Sequence, residues 1–332
     1  MKHYTYFLGV DISKKTMDVA LQKLGETGSI HRKFANNDEG MEELLPWLKA
    51  SAVDLSETLF CMETTGLYCF PLTQFLTEQG IDIWIEHAAQ IKKSNALSRG
   101  KNDKTDAQRI AAYAAKNLDR LRLWKPLPAT LEKIKHLARL RERLVETKKK
   151  LLTPIHEFED VGNSEMAALL TKSIHASLTA IDKDLLKVEA KIISIVDGDE
   201  NLKKLYKVIT SVVGIGFVTA INLLIYTQGF TVMNDARKLA CYSGVAPFEY
   251  SSGSSIRGRT KVHFMANRQL KCNLHMASLA AVKFDMGLKA YYERKVAEGK
   301  NKMSVLNAVR NKLLARVVAC VNNNRLYVDN FA

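Results

Sequence analysis

Residues 6–21, YFLGVDISKKTMDVAL, determine the predicted fold of the N-terminal part of the chain. An apolar run over residues 6–10 leads into a polar turn over residues 11–15, and a second apolar run covers residues 17–21. Two such runs joined by a short polar segment are typical of a β-hairpin. Asp11 then stands at the end of the first strand, where a carboxylate can project from the sheet edge into a crevice.

The segments that follow predict a mixed α/β sheet. A third strand is expected around residues 30–34, and Asp38 is a candidate cap for a helix whose apolar residues recur at helical spacing. Short apolar runs at residues 59–63 and 81–85 flank a helical segment at 68–78, and helices are expected at 88–95 and 103–117. Three hairpin-linked strands followed by alternating helices and strands indicate an RNase H-like domain.

The remainder of the chain is predicted to be mainly helical. After Pro126 and Pro128, residues 131–158 and 174–196 show helical periodicity, which favours an antiparallel helical hairpin or coiled coil with a break near residues 162–164. A glycine turn at 213–216, a helix at 236–242, a Gly/Ser-rich loop at 250–259 and two closing helices follow. We therefore expect three parts, residues 1–125, 126–200 and 201–332.

The composition favours a nucleic-acid partner. The 332 residues include 49 Lys and Arg against 35 Asp and Glu, and the net charge is +14. A surplus of this size favours a polyanion such as DNA or RNA. No apolar run approaches the roughly 18 residues that span a bilayer, and no signal peptide is recognisable. We expect a cytoplasmic, nucleoid-associated protein without a membrane partner, whose five scattered cysteines are reduced packing residues.

Four acidic residues form the candidate metal site. Asp11 and Glu63 end predicted strands, while Asp103 and Asp106 lie three residues apart on one helix face. Phosphodiester chemistry uses divalent ions held by carboxylates, and Mg²⁺ prefers oxygen ligands. Each acid alone also fits a plain role, as a turn residue, a strand-end surface acid or a helix N-cap. Basic residues beside the pair favour a phosphate backbone: Lys101, Lys104 and Arg109.

Several segments resemble the transposases of the IS110 insertion-sequence family, nearly end to end. The N-terminal segments that carry the resemblance are Gly9-Val10-Asp11, residues 33–36, residues 63–68 and residues 101–107. The resemblance implies a RuvC-type DEDD domain joined through a coiled coil to a C-terminal transposase domain that bears a serine. It identifies Asp11, Glu63, Asp103 and Asp106 as the carboxylates that bind Mg²⁺.

The C-terminal resemblance lies in three further segments: residues 237–240 (RKLA), 242–247 (YSGVAP) and 252–258 (SGSSIRG). Ser252 matches the catalytic serine of the family. From the residues alone, a serine beside glycines is more often a loop residue, since a hydroxyl is a weak nucleophile until it is activated. Gly253 and Gly258 would permit close approach of a phosphate, which Arg257 and Arg259 would neutralise.

One segment departs from the family pattern. Basic and glycine positions of the family are replaced by Phe264 and Ala266, which puts the DNA contacts there in doubt, while Asn267 and Lys271 keep part of the pattern. Upstream, Gly214-Ile215-Gly216 resembles a helix-hairpin-helix turn whose amides hold a backbone phosphate. A plain turn between helices explains the same three residues equally well.

The resemblance implies a recombinase that cuts and rejoins DNA. Ser252 would form a transient phosphoserine link to DNA, an element-encoded guide (bridge) RNA would pair with donor and target DNA, and homodimers or homotetramers would share the acids and the serine between protomers. The nearest rival is a RuvC-like nuclease in which the acids activate water. A relative of sugar or acetate kinases and a non-catalytic nucleic-acid-binding protein are the two remaining rivals.

Overall fold

The computed structural model describes residues 2–64, 66–94, 102–252 and 256–328, and for residues 249–252 and 256–261 the backbone alone. The chain divides into two compact units, Met1–Pro126 and Leu127–Ala332. The long helices after Pro128 belong to the second unit together with the C-terminal helices. A further division at residue 200 stays a prediction.

The first unit is built on a five-stranded mixed sheet. Its strands are β1 (Tyr6–Ile12), β2 (Thr16–Lys23), β3 (Ile30–Ala35), β4 (Thr58–Glu63) and β5 (Asp82–Glu86). The spatial order is β3-β2-β1-β4-β5, with antiparallel pairing among the first three strands and parallel pairing of β1 with β4 and of β4 with β5. This arrangement fits an RNase H-like domain, and the predicted N-terminal hairpin is confirmed.

Four helices cover the two faces of this sheet: α1 (Asp38–Ala50), α2 (Phe70–Glu78), α3 (Ala88–Ser94) and α4 (Asp103–Lys116). Alternation along β1 sends Leu8 and Val10 into one core with α1 and α2, and Phe7 into another with α3 and α4. The predicted cap of α1 is wrong by one residue. Asn37 caps this helix, because its side chain accepts a hydrogen bond from the Gly40 amide at 3.1 Å.

Gly9 allows α4 to lie directly on the sheet. A Cβ atom at this position would come within 2.1 Å of the Ala107 carbonyl oxygen and 2.2 Å of the Ala111 amide nitrogen. Ala20, Ala107 and Ala111 form a fully buried cluster of small side chains at the same contact. Because Gly9 precedes Asp11 by two residues, this contact brings the N-terminal turn of α4 next to that carboxylate.

The second unit begins with the predicted helical hairpin. Helices α5 (Ala129–Asp160) and α6 (Ser164–Asp197) are joined by residues 161–163, and α6 begins ten residues earlier than predicted. Arg141 pairs with Glu189 at 2.6 Å and Lys148 with Asp182 at 2.5 Å, a pairing order that requires antiparallel helices. The shorter helices α7 (Glu200–Thr210), α8 (Phe217–Thr227) and α9 (Ala236–Tyr242) follow.

Two sequence predictions for the C-terminal part are wrong. The Gly/Ser-rich segment is a β-hairpin, β6 (Phe248–Ser252) and β7 (Ile256–Lys261), rather than a loop. Three helices instead of two follow it: α10 (Arg268–Phe284), α11 (Met286–Ala297) and α12 (Lys302–Asn322). The extra break arises at Asp285, whose buried carboxylate accepts from the Leu288 amide and starts a new helix. Within the described residues, no helix has the length and apolar character to cross a bilayer.

Candidate active site

A row of charged side chains crosses the five-stranded sheet near the C-terminal ends of β1, β4 and β5. Strand register pairs Lys33 with Asp18, Asp18 with Asp11, and Glu63 with Glu86. Directly opposed residues on neighbouring strands project to the same face. Asp11 and Glu63 follow the last register pair of β1 and β4, Val10 and Met62, so they continue the row between these strands. The row lies on the sheet face that α4 covers.

Asp11 occupies the centre of this row. Burial, followed by the charges of Asp103, Asp106, Glu63 and Asp18 in that order, raises its pKa from 3.8 to about 6. The predicted acids are therefore close enough to repel one another. Among the described residues, the carboxylates of Asp11 and Glu63 have no hydrogen-bond or ion-pair partner. Within the described chain, no cation is paired directly with either carboxylate, and the nearby Lys33 ammonium contacts Asp18 and Asp103 instead.

The two acids of α4 belong to its first turn but do not cap it. The Asn102 side chain accepts from the Thr105 amide at 2.7 Å, and the Thr105 hydroxyl completes a capping box. The N-cap alternative for Asp103 and Asp106 is therefore wrong. Each contacts a cation instead: Asp103 lies 3.9 Å from the Lys33 ammonium, and Asp106 lies 2.8 Å from the Arg109 guanidinium.

Sequence reasoning missed two members of the row, Asp18 and Glu86. The carboxylate of Asp18 is buried and contacts His31 Nε2 at 2.8 Å and Lys33 Nζ at 3.1 Å. Glu86 accepts from the Tyr113 hydroxyl at 3.1 Å, and burial together with this carboxylate raises the pKa of Tyr113 to about 12. Asp18 could have been found, because it interrupts the apolar run of β2 at a position that must face a core.

Donor chemistry favours a divalent cation at the centre of the row. Carboxylate oxygens are the ligands of Mg²⁺, and a cation would relieve the repulsion that raises the pKa of Asp11. Across the described ranges, however, no three His, Cys, Asp or Glu side chains converge closely enough to hold a metal ion. Lys33 and Arg109 hold Asp103 and Asp106 in this arrangement. For all four carboxylates to bind one ion, the side chains of Asp103 and Asp106 would have to turn away from Lys33 and Arg109.

The predicted nucleophile lies in the second unit. Ser252 is the last residue of β6 and is opposite Ile256 of β7, and its side chain lies outside the described part of the chain. The same holds for the side chains of Arg257 and Arg259 on β7, and Lys101 and Gly253 lie outside the described residues altogether. The backbone places the serine at the tip of the hairpin.

The segment that departs from the family pattern forms the base of this hairpin. A Cβ atom on Gly244, whose φ is +65°, would come within 2.8 Å of the Ala266 Cβ and 3.6 Å of the Lys271 side chain. Phe264 is exposed, and Asn267 caps α10 by accepting from the Leu270 amide at 2.9 Å. Ala266 is therefore a packing residue here, and a larger side chain would push the two ends of the hairpin apart.

Comparison with known proteins adds the family. A model described as Transposase, for the DEDD domain of IS110 elements, matches residues 8–158, and a second, described as Transposase IS116/IS110/IS902 family, matches residues 206–293. The chain belongs to the IS110 family of transposases. It is an enzyme of the transposase and DNA recombinase class, and transposases act on DNA.

Individual relatives agree with this family. The chain is 25% identical to the pilin gene-inverting protein of Moraxella bovis over 325 residues, and this alignment covers 96% of each of the two chains. It is 30% identical over 159 residues to the insertion element IS110 uncharacterized 43.6 kDa protein of Streptomyces coelicolor, covering 48% of this chain and 38% of that relative. The first relative is therefore similar along both units of this IS110-family transposase.

The two glycines of the turn at residues 214–216 have different surroundings, and only one of them is required for packing. Gly214 has a φ of +95°, and a Cβ there would come within 2.5 Å of the Ala277 carbonyl oxygen, so it is required for packing against α10. Gly216 faces open space within the described chain and precedes α8 without a side-chain cap. Uncapped amides at a helix start suit an anion. The phosphate contact proposed for this turn would therefore be made around Gly216 rather than Gly214.

Proposed function

We propose that this IS110-family transposase cuts and rejoins DNA through a phosphoserine intermediate on Ser252, assisted by a divalent ion at Asp11, Glu63, Asp103 and Asp106. One observation carries the proposal. Asp11 and Glu63 are unpaired within the described residues, and burial together with the neighbouring acids raises the pKa of Asp11 to about 6, so a cation would stabilise the charged carboxylates. When bound, Mg²⁺ would polarise the phosphate and stabilise charge on the attacking and leaving oxygens.

The chain's own residues divide the remaining work. Asp11 and Glu63 would hold the ion with carboxylates fixed on the sheet, and Asp103 and Asp106, which now contact Lys33 and Arg109, would hold it from the first turn of α4. Asp18 is already occupied by His31 and Lys33, and it supports the row without binding the ion.

The covalent step conserves the phosphodiester energy. The Ser252 hydroxyl loses its proton to a base or to solvent, and its oxygen bonds to phosphorus. The bond between phosphorus and the leaving deoxyribose oxygen breaks, and that oxygen takes a proton. In the second step a deoxyribose hydroxyl of the partner strand attacks the same phosphorus and releases Ser252. No nucleotide cofactor is required for this balance.

Nucleic-acid contacts would come from both units. Lys104, Lys271, Arg257 and Arg259 would neutralise phosphates, and the amides after Gly216 would bind one more. The net charge of +14 supports this role and is also compatible with a guide RNA. We propose that the guide RNA pairs with donor and target DNA, and that a homodimer or homotetramer brings the acids and the serine together.

A covalent trap tests the mechanism. Wild-type protein is incubated with Mg²⁺ and suicide DNA carrying nicks, together with RNA transcribed from the DNA that flanks the gene, and is then denatured. We expect DNA-linked protein, absent for Ser252→Ala and retained for the neighbouring control Ser251→Ala. Asp11→Asn should reduce adduct formation by about a hundred-fold or more, as expected when charge stabilisation at a reacting phosphate is removed.

Two results would contradict the proposed mechanism, the first its covalent step and the second its dependence on the acids. Free cut ends without any adduct, unaffected by Ser252→Ala, would support the RuvC-like nuclease, in which the acids activate water. Adduct formation that is unchanged in Asp11→Asn would remove the acids from the reaction. Equal adduct yields with and without the flanking RNA would contradict RNA guidance and leave the serine chemistry standing.

A further inference from the structure

Helix α12 carries two arginines with opposite surroundings. Arg316 donates to the fully buried carboxylate of Asp285 at 2.5 Å. Arg310 is 5% exposed, and within the described chain no carboxylate lies within ion-pair distance of its guanidinium. A buried charge without a counterion is costly, and its hydrogen bonds are what offset that cost. The partners of Arg310 therefore indicate what it does.

Those partners are two neutral side chains. The Arg310 guanidinium donates to His275 Nδ1 at 2.6 Å and to the Asn307 side-chain oxygen at 3.4 Å, and its Nε has no partner among the described residues. Burial and the Arg310 charge lower the pKa of His275, which keeps this imidazole neutral and able to accept. The guanidinium thus fixes the orientation of the Asn307 amide, with its oxygen directed towards Arg310.

This orientation aims the Asn307 nitrogen at the approach to β6. Asn307 Nδ2 donates to the Val245 carbonyl oxygen at 2.8 Å, a contact across 62 residues of sequence. Val245 is buried and precedes Phe248, the first residue of β6, by three positions. The hydrogen bond therefore ties α12 to the chain immediately before the hairpin that bears Ser252.

A second contact joins the other end of the hairpin. The Asn267 amide nitrogen donates to the Tyr242 carbonyl oxygen at 2.7 Å, and its side chain donates to the Tyr242 hydroxyl at 3.1 Å. The segment that enters the hairpin is thus held to the segment that leaves it. Isolated two-stranded hairpins are marginally stable, so the base contacts determine where the tip lies.

We propose that Asn307, oriented by Arg310, is a positioning residue that fixes the base of the β6–β7 hairpin and thereby the place of Ser252. We call the hydrogen bond from Asn307 to Val245, with Asn307 held by Arg310, the clamp. Its effect on catalysis rests on the proposed function, whereas its effect on the order of the hairpin depends on the fold alone. Neither side chain touches DNA in this role. Their loss should change the rate of the covalent step at saturating DNA and leave DNA affinity unchanged.

The test compares substitutions on one helix. Asn307→Asp keeps the shape and the acceptor for Arg310 but loses the donor to Val245, and Arg310→Met removes the guanidinium. Arg316→Met is the matched control, since it breaks the Asp285 ion pair of the same helix without contacting the hairpin approach. Hydrogen exchange of the β6 and β7 amides, the single-turnover rate of adduct formation, the DNA affinity and the melting temperature are measured for each.

For Asn307→Asp and Arg310→Met we expect faster exchange across residues 248–261. The adduct rate should fall about 10- to 100-fold, the scale on which misplacing a reacting group by about 1 Å acts. Arg316→Met should lower the melting temperature while hairpin exchange and the rate per folded molecule stay at wild-type values.

Unchanged exchange and rate in Asn307→Asp would overturn the clamp, as would an equal effect of Arg316→Met. If wild-type protein forms no adduct, the proposed function fails, while the exchange measurement still decides the clamp.

Discussion

The four acids of the candidate metal site and Ser252 of the β6–β7 hairpin are held in place in two different ways. Asp11 and Glu63 stand on central strands of a five-stranded sheet, and Asp103 and Asp106 stand on α4, which packs against the backbone at Gly9. Ser252 stands at the end of a two-stranded sheet that a few contacts hold at its base. Strand register determines where the acids lie, whereas side chains distant in sequence determine where the serine lies.

This difference has a mechanical consequence. A residue within a sheet is held by ladder hydrogen bonds on both sides, so a single surface substitution moves it little. A residue at a hairpin tip moves with the hairpin base. We therefore expect the first unit to lose global stability when its tight contacts are disturbed, and the hairpin to lose local order.

Gly9→Ala should have the largest effect on stability. The added Cβ would stand 2.1 Å from a backbone oxygen of α4, and neither the helix nor the strand has a flexible side chain that could give way. Overpacking typically costs about 1–3 kcal/mol and can cost more, so we expect a loss of about 3 kcal/mol from the unfolding free energy of the first unit. Urea unfolding monitored by tryptophan fluorescence measures this, since Trp84 is buried in the same core.

Gly28→Ala provides the matched control for added volume, because a Cβ at Gly28 would meet no atom within 4 Å and its φ lies outside the left-handed region. A Gly9→Ala protein as stable as Gly28→Ala would mean that α4 does not pack closely on β1, and it would contradict the placement of Asp103 and Asp106 beside Asp11.

Asp18→Asn should have the next largest effect. The substitution preserves size but removes the charge that His31 contacts at 2.8 Å in a buried place. Breaking a buried pair costs about 3–5 kcal/mol, and partial exposure of this site reduces our expectation to about 2 kcal/mol. Thermal and urea unfolding measure the loss. Asp119→Asn, at a largely exposed carboxylate, should be neutral, and an equally neutral Asp18→Asn would contradict a supporting role for Asp18.

Gly244→Ala tests the hairpin side of the comparison. The residue has a φ of +65°, which costs an L-residue about 1–2 kcal/mol, and the new Cβ meets the Ala266 Cβ at 2.8 Å. We expect a loss of that size together with faster hydrogen exchange in β6 and β7. Adding Ala266→Gly should remove the steric part and leave the backbone strain. If the double variant exchanges as fast as the single one, packing against Ala266 does not hold the hairpin.

The same contrast explains what the sequence could reveal. Two apolar runs joined by a polar turn in residues 6–21 predicted the hairpin, and strand ends predicted the positions of Asp11 and Glu63, because strand pairing follows from the local sequence pattern. Asp18 lies within β2 and Glu86 lies beyond the predicted end of its strand, so neither stands at a strand end or helix start that the sequence indicates. The fifth strand was expected to end at residue 85, one residue short of Glu86.

The C-terminal part was less predictable for a physical reason. Glycine and serine have low strand propensity, so the segment around Ser252 indicated a loop, and its pairing into β6 and β7 depends on contacts at the base. The contact between Asn307 and Val245 joins residues 62 positions apart, and no local pattern encodes it. Asp285 is a polar residue within a helical pattern, and its buried carboxylate is paired with Arg316, which lies 31 residues further along the chain.

The smallest expected effect has the opposite sign. The pKa of Asp11 is about 6 in the folded chain against 3.8 for an ordinary aspartate, so between these values the folded state holds the proton more tightly. Stability therefore falls as pH rises from 4 to 6, and the ionised carboxylate destabilises the fold above that range. Each pKa unit corresponds to about 1.4 kcal/mol, and solvent screening at this half-buried site reduces the total of about 3 to about 1 kcal/mol.

Asp11→Asn should accordingly raise the unfolding free energy by about 1 kcal/mol at pH 7.5 in the presence of a chelator, and by nothing measurable at pH 4, where the wild-type carboxyl is protonated. The same variant should also be defective in adduct formation, because the negative charge of Asp11 lowers the stability of the fold but is required for the reaction. A gain that is equal at both pH values would mean that the amide packs better than the acid. No gain at pH 7.5 would mean that burial and the neighbouring acids do not destabilise the ionised Asp11 carboxylate. The electrostatic argument for a cation at the row would then fail.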